Sequence, residues 1–264
     1  MSRPAPLTDS HCHLDAAEFD ADRDAVIARA RAAGVARQVV PAVAAAGWPK
    51  LRDVCASADG LFPAYGLHPM YLAGHRPQHL AELRGWIERE KPVAIGECGL
   101  DFFVEELDAA LQRQYFEAQL QLAREFGLPV IVHARRAVDA VIAAVRRIGG
   151  SKGDTLRGVV HSYSGSEEQA RQLWKQGFLL GLGGPVTYER ANRLRNLVAT
   201  MPLEFLLLET DAPDQPDSRI RGQRNEPARL DFVCRTIAAL RGIAPDELAR
   251  ATSDNAERLF KLPM

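Results

Sequence analysis

Two histidines separated by one residue, His11 and His13, stand just past a short apolar run near the start of the chain. In an extended segment, residues two apart point to the same side with Cα atoms about 6–7 Å apart. Both imidazoles can then reach one cation at about 2.0–2.1 Å, and Cys12 is turned the other way. More donors of this kind recur along the chain. Glu97, His133, His161 and Asp211 each fall at or just beyond an apolar run of strand length, which gives six candidate ligands on five strand ends. Imidazole and carboxylate together suit Zn²⁺, Mn²⁺, Ni²⁺ or Fe²⁺, while Mg²⁺ favours oxygen donors. Such a set activates water and neutralises developing charge, which is the chemistry of metal-assisted hydrolysis. Asp9 and Glu209 lie two residues before His11 and Asp211, on the ligand side of their strands, where a carboxylate can orient a ligand or pair with backbone. Cys98 beside Glu97, like Cys12, is expected to face away from the ligands.

These residues need elements that bring their strand ends together. Apolar runs predict eight strands, at Leu7–Ser10, Val35–Val43, Leu61–Gly66, Val93–Glu97, Val130–His133, Gly158–His161, Phe178–Leu182 and Phe205–Glu209. Amphipathic stretches between them predict helices over Ala21–Ala33 with Asp20 as cap, from Pro49 to about Ala58, and over His79–Glu90, Glu106–Phe126, Ala137–Ile148, Ser166–Gln176, Tyr188–Val198, Pro227–Leu240 and Pro245–Phe260. The strict alternation predicts a single (β/α)8 TIM barrel with an additional C-terminal helix, in one domain over 1–264, because no linker or low-complexity tract interrupts it. An open doubly wound sheet is the competing architecture. It would need a glycine-rich phosphate loop after the first strand, and Gly181–Gly184 comes too late for that. In a barrel of this kind the loops after the strands build the active site, which is where the six residues fall.

Composition narrows the function further. Hydrophobic residues make up 47% and charged residues 25% of 264, as in ordinary globular proteins. With 33 Lys and Arg against 34 Asp and Glu, the net charge of −1 argues against a protein that coats nucleic acid. Contact with a nucleic acid would be local, as at a strand end. No apolar run approaches the roughly 20 residues of a spanning helix, and the first residues carry no apolar signal core. Four cysteines without Cys-x-x-Cys spacing read as free thiols. A cytoplasmic monomer or small homo-oligomer, with no membrane partner, is expected.

The segments DSHCHLD, GLHP, GECGLDF, PVIVHAR, VVHSYSG, LLETDAP and RGQRNEP, in this order, resemble the successive motifs of the TatD family of metal-dependent deoxyribonucleases, amidohydrolase-type metallo-barrels. ETDAPDQP and the short RGQRNEP segment are similar to the hydrolase branch of that family. The resemblance implies two divalent ions, Zn, Mn, Mg or Ni. His11 and His13, helped by Asp211, would hold one. His133 and His161 would hold the other, and Glu97 would bridge them. It implies Asp211 and Glu97 as catalytic residues, with Asp211 taking the proton from water as a metal-activated hydroxide forms. It implies His68, Arg221 and Asn225 as substrate contacts, His68 and Arg221 on phosphate oxygens. The implied activity is hydrolysis of phosphodiester bonds in DNA, from strand ends. Another ester or amide bond, as in aminoacyl-tRNA or a small ester, is the alternative on the same metals, and a non-catalytic metal-binding protein is a third reading. The chain departs from the family pattern at Met70, where a second histidine is common, at Ser162 and Tyr163 of HSYSG, and at Gln223, where a lysine is common. His75 and His79 read as structural.

Overall fold

The computed structural model describes residues 5–149 and 156–263. The eight strands are β1 (Leu7–Asp9), β2 (Val35–Pro41), β3 (Leu61–Tyr65), β4 (Ala94–Asp101), β5 (Val130–Arg135), β6 (Gly158–Val160), β7 (Phe178–Leu182) and β8 (Leu206–Leu208). They form one parallel sheet in chain order and alternate with helices, the (β/α)8 TIM-barrel class expected from the sequence. The helices are α1 (Arg23–Ala32), α2 (Trp48–Ala56), α3 (Pro77–Glu90), α4 (Ala109–Phe126), α5 (Val138–Ile148), α6 (Glu167–Lys175), α7 (Asn192–Thr200), α8 (Leu230–Arg241) and the additional C-terminal α9 (Pro245–Phe260).

Most element bounds differ from expectation by a few residues, and three differences bear on the positions of candidate residues or caps. Strand β4 runs four residues past Glu97, so Glu97 lies inside a strand and not at its end. Glycine makes this possible: a Cβ on Gly99, whose φ is +147°, would overlap the carbonyl oxygen of its β5 partner His133. Asp20 does not cap α1, which begins at Arg23; Asp20 instead forms an ion pair with Arg23. Helix α7 starts at Asn192, four residues late, because Pro185 sits in a separate short turn over Gly184–Thr187. The Tyr188 hydroxyl that follows donates to the carbonyl of Pro216 at 3.0 Å.

The chain contacts divide into two compact units. The first comprises residues 5–40, 54–62 and 180–263. In it, α9 packs on β1 and β8 and buries Leu248, Leu259 and Phe260. The Asn255 amide donates to the carbonyls of Leu203 (2.8 Å) and Leu206 (2.9 Å), and the Ser253 hydroxyl donates to Pro6 (2.9 Å). These bonds satisfy backbone acceptors that burial would otherwise leave unpaired. The second unit comprises residues 41–53, 63–149 and 156–179. Every residue of β4 is buried. Two glutamines seven residues apart on α4, Gln112 and Gln119, are buried among Tyr115, Phe116 and Leu120, against the usual preference of amides for water. Each amide closes a reciprocal pair with one backbone residue. Gln119 accepts from the Leu67 N–H (2.8 Å) and donates to the Leu67 carbonyl (3.1 Å). Gln112 does the same at Asp101, at 2.7 and 2.8 Å. Both segments so held, the loop after β3 and the end of β4, carry residues of one side-chain cluster.

Candidate metal centres

In the first unit the backbone assembles His11, His13 and Asp211. The Asp211 N–H donates to the His11 carbonyl (2.9 Å) and the His13 N–H to the Ala212 carbonyl (2.7 Å). Buried Asp9 staples the same two segments: its carboxylate accepts from the N–H groups of His11 (3.2 Å) and Thr210 (3.0 Å) and from the Thr210 hydroxyl (2.6 Å). Complete burial outweighs these bonds and pushes the Asp9 carboxyl up to about 7. Asp211 adopts a left-handed φ of +56°, which Asp tolerates better than most side chains. The Gln215 amide donates to its Oδ2 at 2.5 Å, leaving Oδ1 toward the histidines.

The result is three donor atoms at mutual distances of 3.2 Å (His11 Nε2 to His13 Nε2), 3.4 Å (His11 Nε2 to Asp211 Oδ1) and 3.6 Å (His13 Nε2 to Asp211 Oδ1). Tetrahedral bonds of 2.0–2.2 Å separate neighbouring donors by about 3.3–3.6 Å. The two edges to Asp211 match that spacing and are long for hydrogen bonds, and the His11–His13 edge falls about 0.1 Å short of it. Cys12 is turned away, its thiol toward Gln38 Oε1 (3.8 Å) and the Val39 carbonyl (3.9 Å).

In the second unit three imidazoles converge on one oxygen. Glu97 Oε1 lies 2.9 Å from His68 Nε2, 3.1 Å from His133 Nδ1 and 2.8 Å from His161 Nε2. Octahedral bonds of 2.0–2.1 Å place adjacent donors about 2.8–3.0 Å apart, so this donor set also fits a divalent ion. His68 differs from the other two. Its Nδ1 accepts from the Met70 N–H at 3.1 Å, so the hydrogen of the neutral ring sits on Nε2 and points at Glu97. Burial outweighs the pull of Glu97 and draws the His68 imidazole down to about 4, which keeps it neutral. His68 is therefore a hydrogen-bond donor beside the candidate ligands. The sequence placed it only as a substrate contact, and the fold sets it against Glu97. His75, read as structural, lies with Nε2 2.8 Å from the His68 carbonyl oxygen.

Asp101 is the residue sequence reasoning missed. Its Oδ2 holds His133 Nε2 at 2.9 Å, and its Oδ1 accepts from the N–H groups of Phe103 (2.9 Å) and Val104 (3.2 Å). A carboxylate on Nε2 fixes the hydrogen there and frees Nδ1 as a ligand. Burial works against the charged imidazolium, but bonds to Asp101 and Glu97 outweigh it and raise His133. The signal was available: Asp101 lies four residues after Glu97 on one strand, and even spacing puts both on the same side. The Cys98 thiol is committed to the Ile131 carbonyl at 3.7 Å, away from this cluster.

The remaining expected residues separate by environment. Arg221 is exposed on the loop after β8. Asn225 is buried, and its amide donates to the carbonyls of Thr210 (2.9 Å) and Asp214 (2.8 Å). Its Oδ1 accepts from the Glu226 N–H (2.9 Å), so its bonds tie together the backbone on both sides of the Asp211 turn. Glu209 is fully buried beside Gly181, where any Cβ would overlap its carboxylate.

Residues 8–261 match the family model described as TatD related DNase. The chain belongs to the TatD family. Its relatives include the metal-dependent hydrolase YjjV of Escherichia coli K12, 39% identical over 97% of this chain and 98% of YjjV. The 3'-5' ssDNA/RNA exonuclease TatD of Cronobacter sakazakii is 36% identical over 96% of this chain and 97% of its own. The crystal structure of the E. coli YjjV TatD homologue superposes with a TM-score of 0.92 at 37% identity, covering 97% of this chain and 98% of that one. This TatD-family chain is thus a metal-dependent hydrolase, and no helix among its described residues is long and apolar enough to cross a membrane.

Proposed function

We propose that the protein hydrolyses phosphodiester bonds at strand ends of single-stranded nucleic acid, using one divalent ion at each cluster. The observation that carries this reading is the donor sets: His11, His13 and Asp211 in one cluster, and in the other Glu97, His133 and His161, whose donor atoms lie 2.8–3.2 Å from one another. The nuclease name of the Cronobacter relative supports the substrate class. When bound, the ions lower the pKa of water and neutralise charge on a phosphoryl group.

The chain's own residues supply the rest. Asp211 receives the proton of the attacking water, because its Oδ2 is steadied by Gln215 and its Oδ1 faces the two histidines. Glu97 presents its Oε1 to His133 and His161, and the His68 Nε2–H holds that oxygen in place from a ring fixed by the Met70 amide. Arg221 meets the substrate phosphates from its exposed loop, where its fork suits paired oxygens. Asn225 is a positioning residue behind Asp211.

Asp211→Asn keeps an oxygen at the first cluster and removes the proton acceptor. Turnover of a short single-stranded oligonucleotide should fall on the order of 10²–10⁴-fold, while the second cluster keeps its ion. Unchanged turnover would remove Asp211 from the chemistry. Chelator-sensitive cleavage of simple esters with intact DNA would favour the alternative substrate class.

A further inference from the structure

Large apolar side chains are almost all buried, and among the described residues three stand exposed: Met70 (47%), Tyr71 (51%) and Phe103 (43%). All three belong to the second unit and flank its cluster. Tyr71 lies against the His68 ring, with centroids 5.8 Å apart. The Phe103 N–H donates to Asp101, the carboxylate that holds His133. Two cations gather at Phe103 as well. The guanidinium carbons of Arg135 and Arg136 lie 3.7 and 4.7 Å from its ring centroid. Both arginines are exposed, they directly follow the strand segment bearing His133, and no carboxylate among the described residues pairs with either.

An exposed aromatic ring beside two uncompensated guanidiniums has the chemistry of a single-strand platform. Bases stack on aromatic faces and guanidinium planes, and the same guanidiniums accept phosphate charge. Duplex DNA keeps its base faces stacked internally and cannot use such a surface. We infer that Phe103, with Arg135 and Arg136, stacks an unpaired base next to the bond being cut, and that Tyr71 takes a second base beside His68. This rests on the proposed nuclease reading and adds what selects the strand. It also fits a chain of net charge −1, because two guanidiniums at one place need no overall positive charge.

The test compares wild type with Phe103→Ala, Arg135→Ala and Arg136→Ala. Affinity for a labelled oligothymidylate and for an abasic strand of equal length is read by fluorescence anisotropy. Hydrolysis of bis(p-nitrophenyl) phosphate, which carries no base, is read alongside in the metal-loaded enzyme. Phe103→Ala should weaken oligothymidylate about 10- to 100-fold and leave the abasic strand and the small diester unchanged. Each arginine variant should weaken both strands and lower the salt slope by about 0.7. Equal losses on both strands for Phe103→Ala, or none on either, would overturn the platform while oligonucleotide cleavage by wild type would still uphold the nuclease reading. Wild type that neither binds nor cleaves oligothymidylate would overturn both.

Discussion

Replacing Asp101 by Asn separates the metal reading from a purely structural one. The carboxylate divides its work: Oδ1 accepts from two backbone N–H groups, and Oδ2 holds His133 Nε2 at 2.9 Å. Asn can keep its oxygen on the two amides, but its NH₂ then faces Nε2. The ring must accept there, so its hydrogen moves to Nδ1, the atom 3.1 Å from Glu97 and 3.2 Å from His161. A protonated Nδ1 cannot ligate. Loss of such an orienting partner costs 10- to 100-fold in metal affinity, about 1.4–2.7 kcal/mol. Because the backbone bonds survive, unfolding of the metal-free variant in urea should change by less than about 1 kcal/mol. Asp101→Ala strands the two amides and should cost about 1–3 kcal/mol in the same assay. Competition with a chromophoric chelator reads the affinity. If Asp101→Asn binds metal as tightly as wild type, His133 does not ligate through Nδ1 and the second cluster is wrongly assigned.

Gln119→Leu should cost about 1–3 kcal/mol in urea unfolding, because it strands the Leu67 N–H and carbonyl inside the protein. Gln119→Glu sets a buried carboxylate against the Leu67 and Tyr115 carbonyls, so it should also destabilise, and less at acid pH, where a protonated carboxyl can both accept and donate; unchanged stability in both variants would contradict the reciprocal pairing. The thiols give a third outcome. Cys12, Cys55, Cys98 and Cys234 are all buried, and burial pushes each one up, Cys234 to about 12. A thiol reagent at pH 8 should label the native protein slowly and all four cysteines after unfolding; fast labelling of the native chain would contradict their burial.

Much of the fold was legible because buried parallel strands leave short, unmixed apolar runs, and Val130 to Val132 or Phe178 to Leu182 leave little room for another reading. The six candidate ligands were legible for a related reason, since polar residues directly after such runs need a purpose. What failed depended on contacts distant in sequence. The apolar run of β4 breaks at Gly96 and Glu97, and only the close approach of His133 explains how the strand continues through Gly99. Asp101 was hidden in the same segment. Gln112 and Gln119 look like ordinary helix residues until the backbone of Asp101 and Leu67 lies beside them. Asn225 is legible in RGQRNEP as a candidate, but its bonds to the carbonyls of Thr210 and Asp214 are not.

The most direct test of metal-dependent nuclease action is to strip the protein with chelator, titrate Mn²⁺ or Zn²⁺ back, and follow bound metal together with cleavage of an end-labelled single-stranded oligonucleotide. The stripped protein should not cleave, binding should approach two equivalents per chain, and cleavage should return as those equivalents fill. A plateau at zero, or oligonucleotide left intact at full loading while simple esters are hydrolysed, would contradict metal-dependent nuclease action.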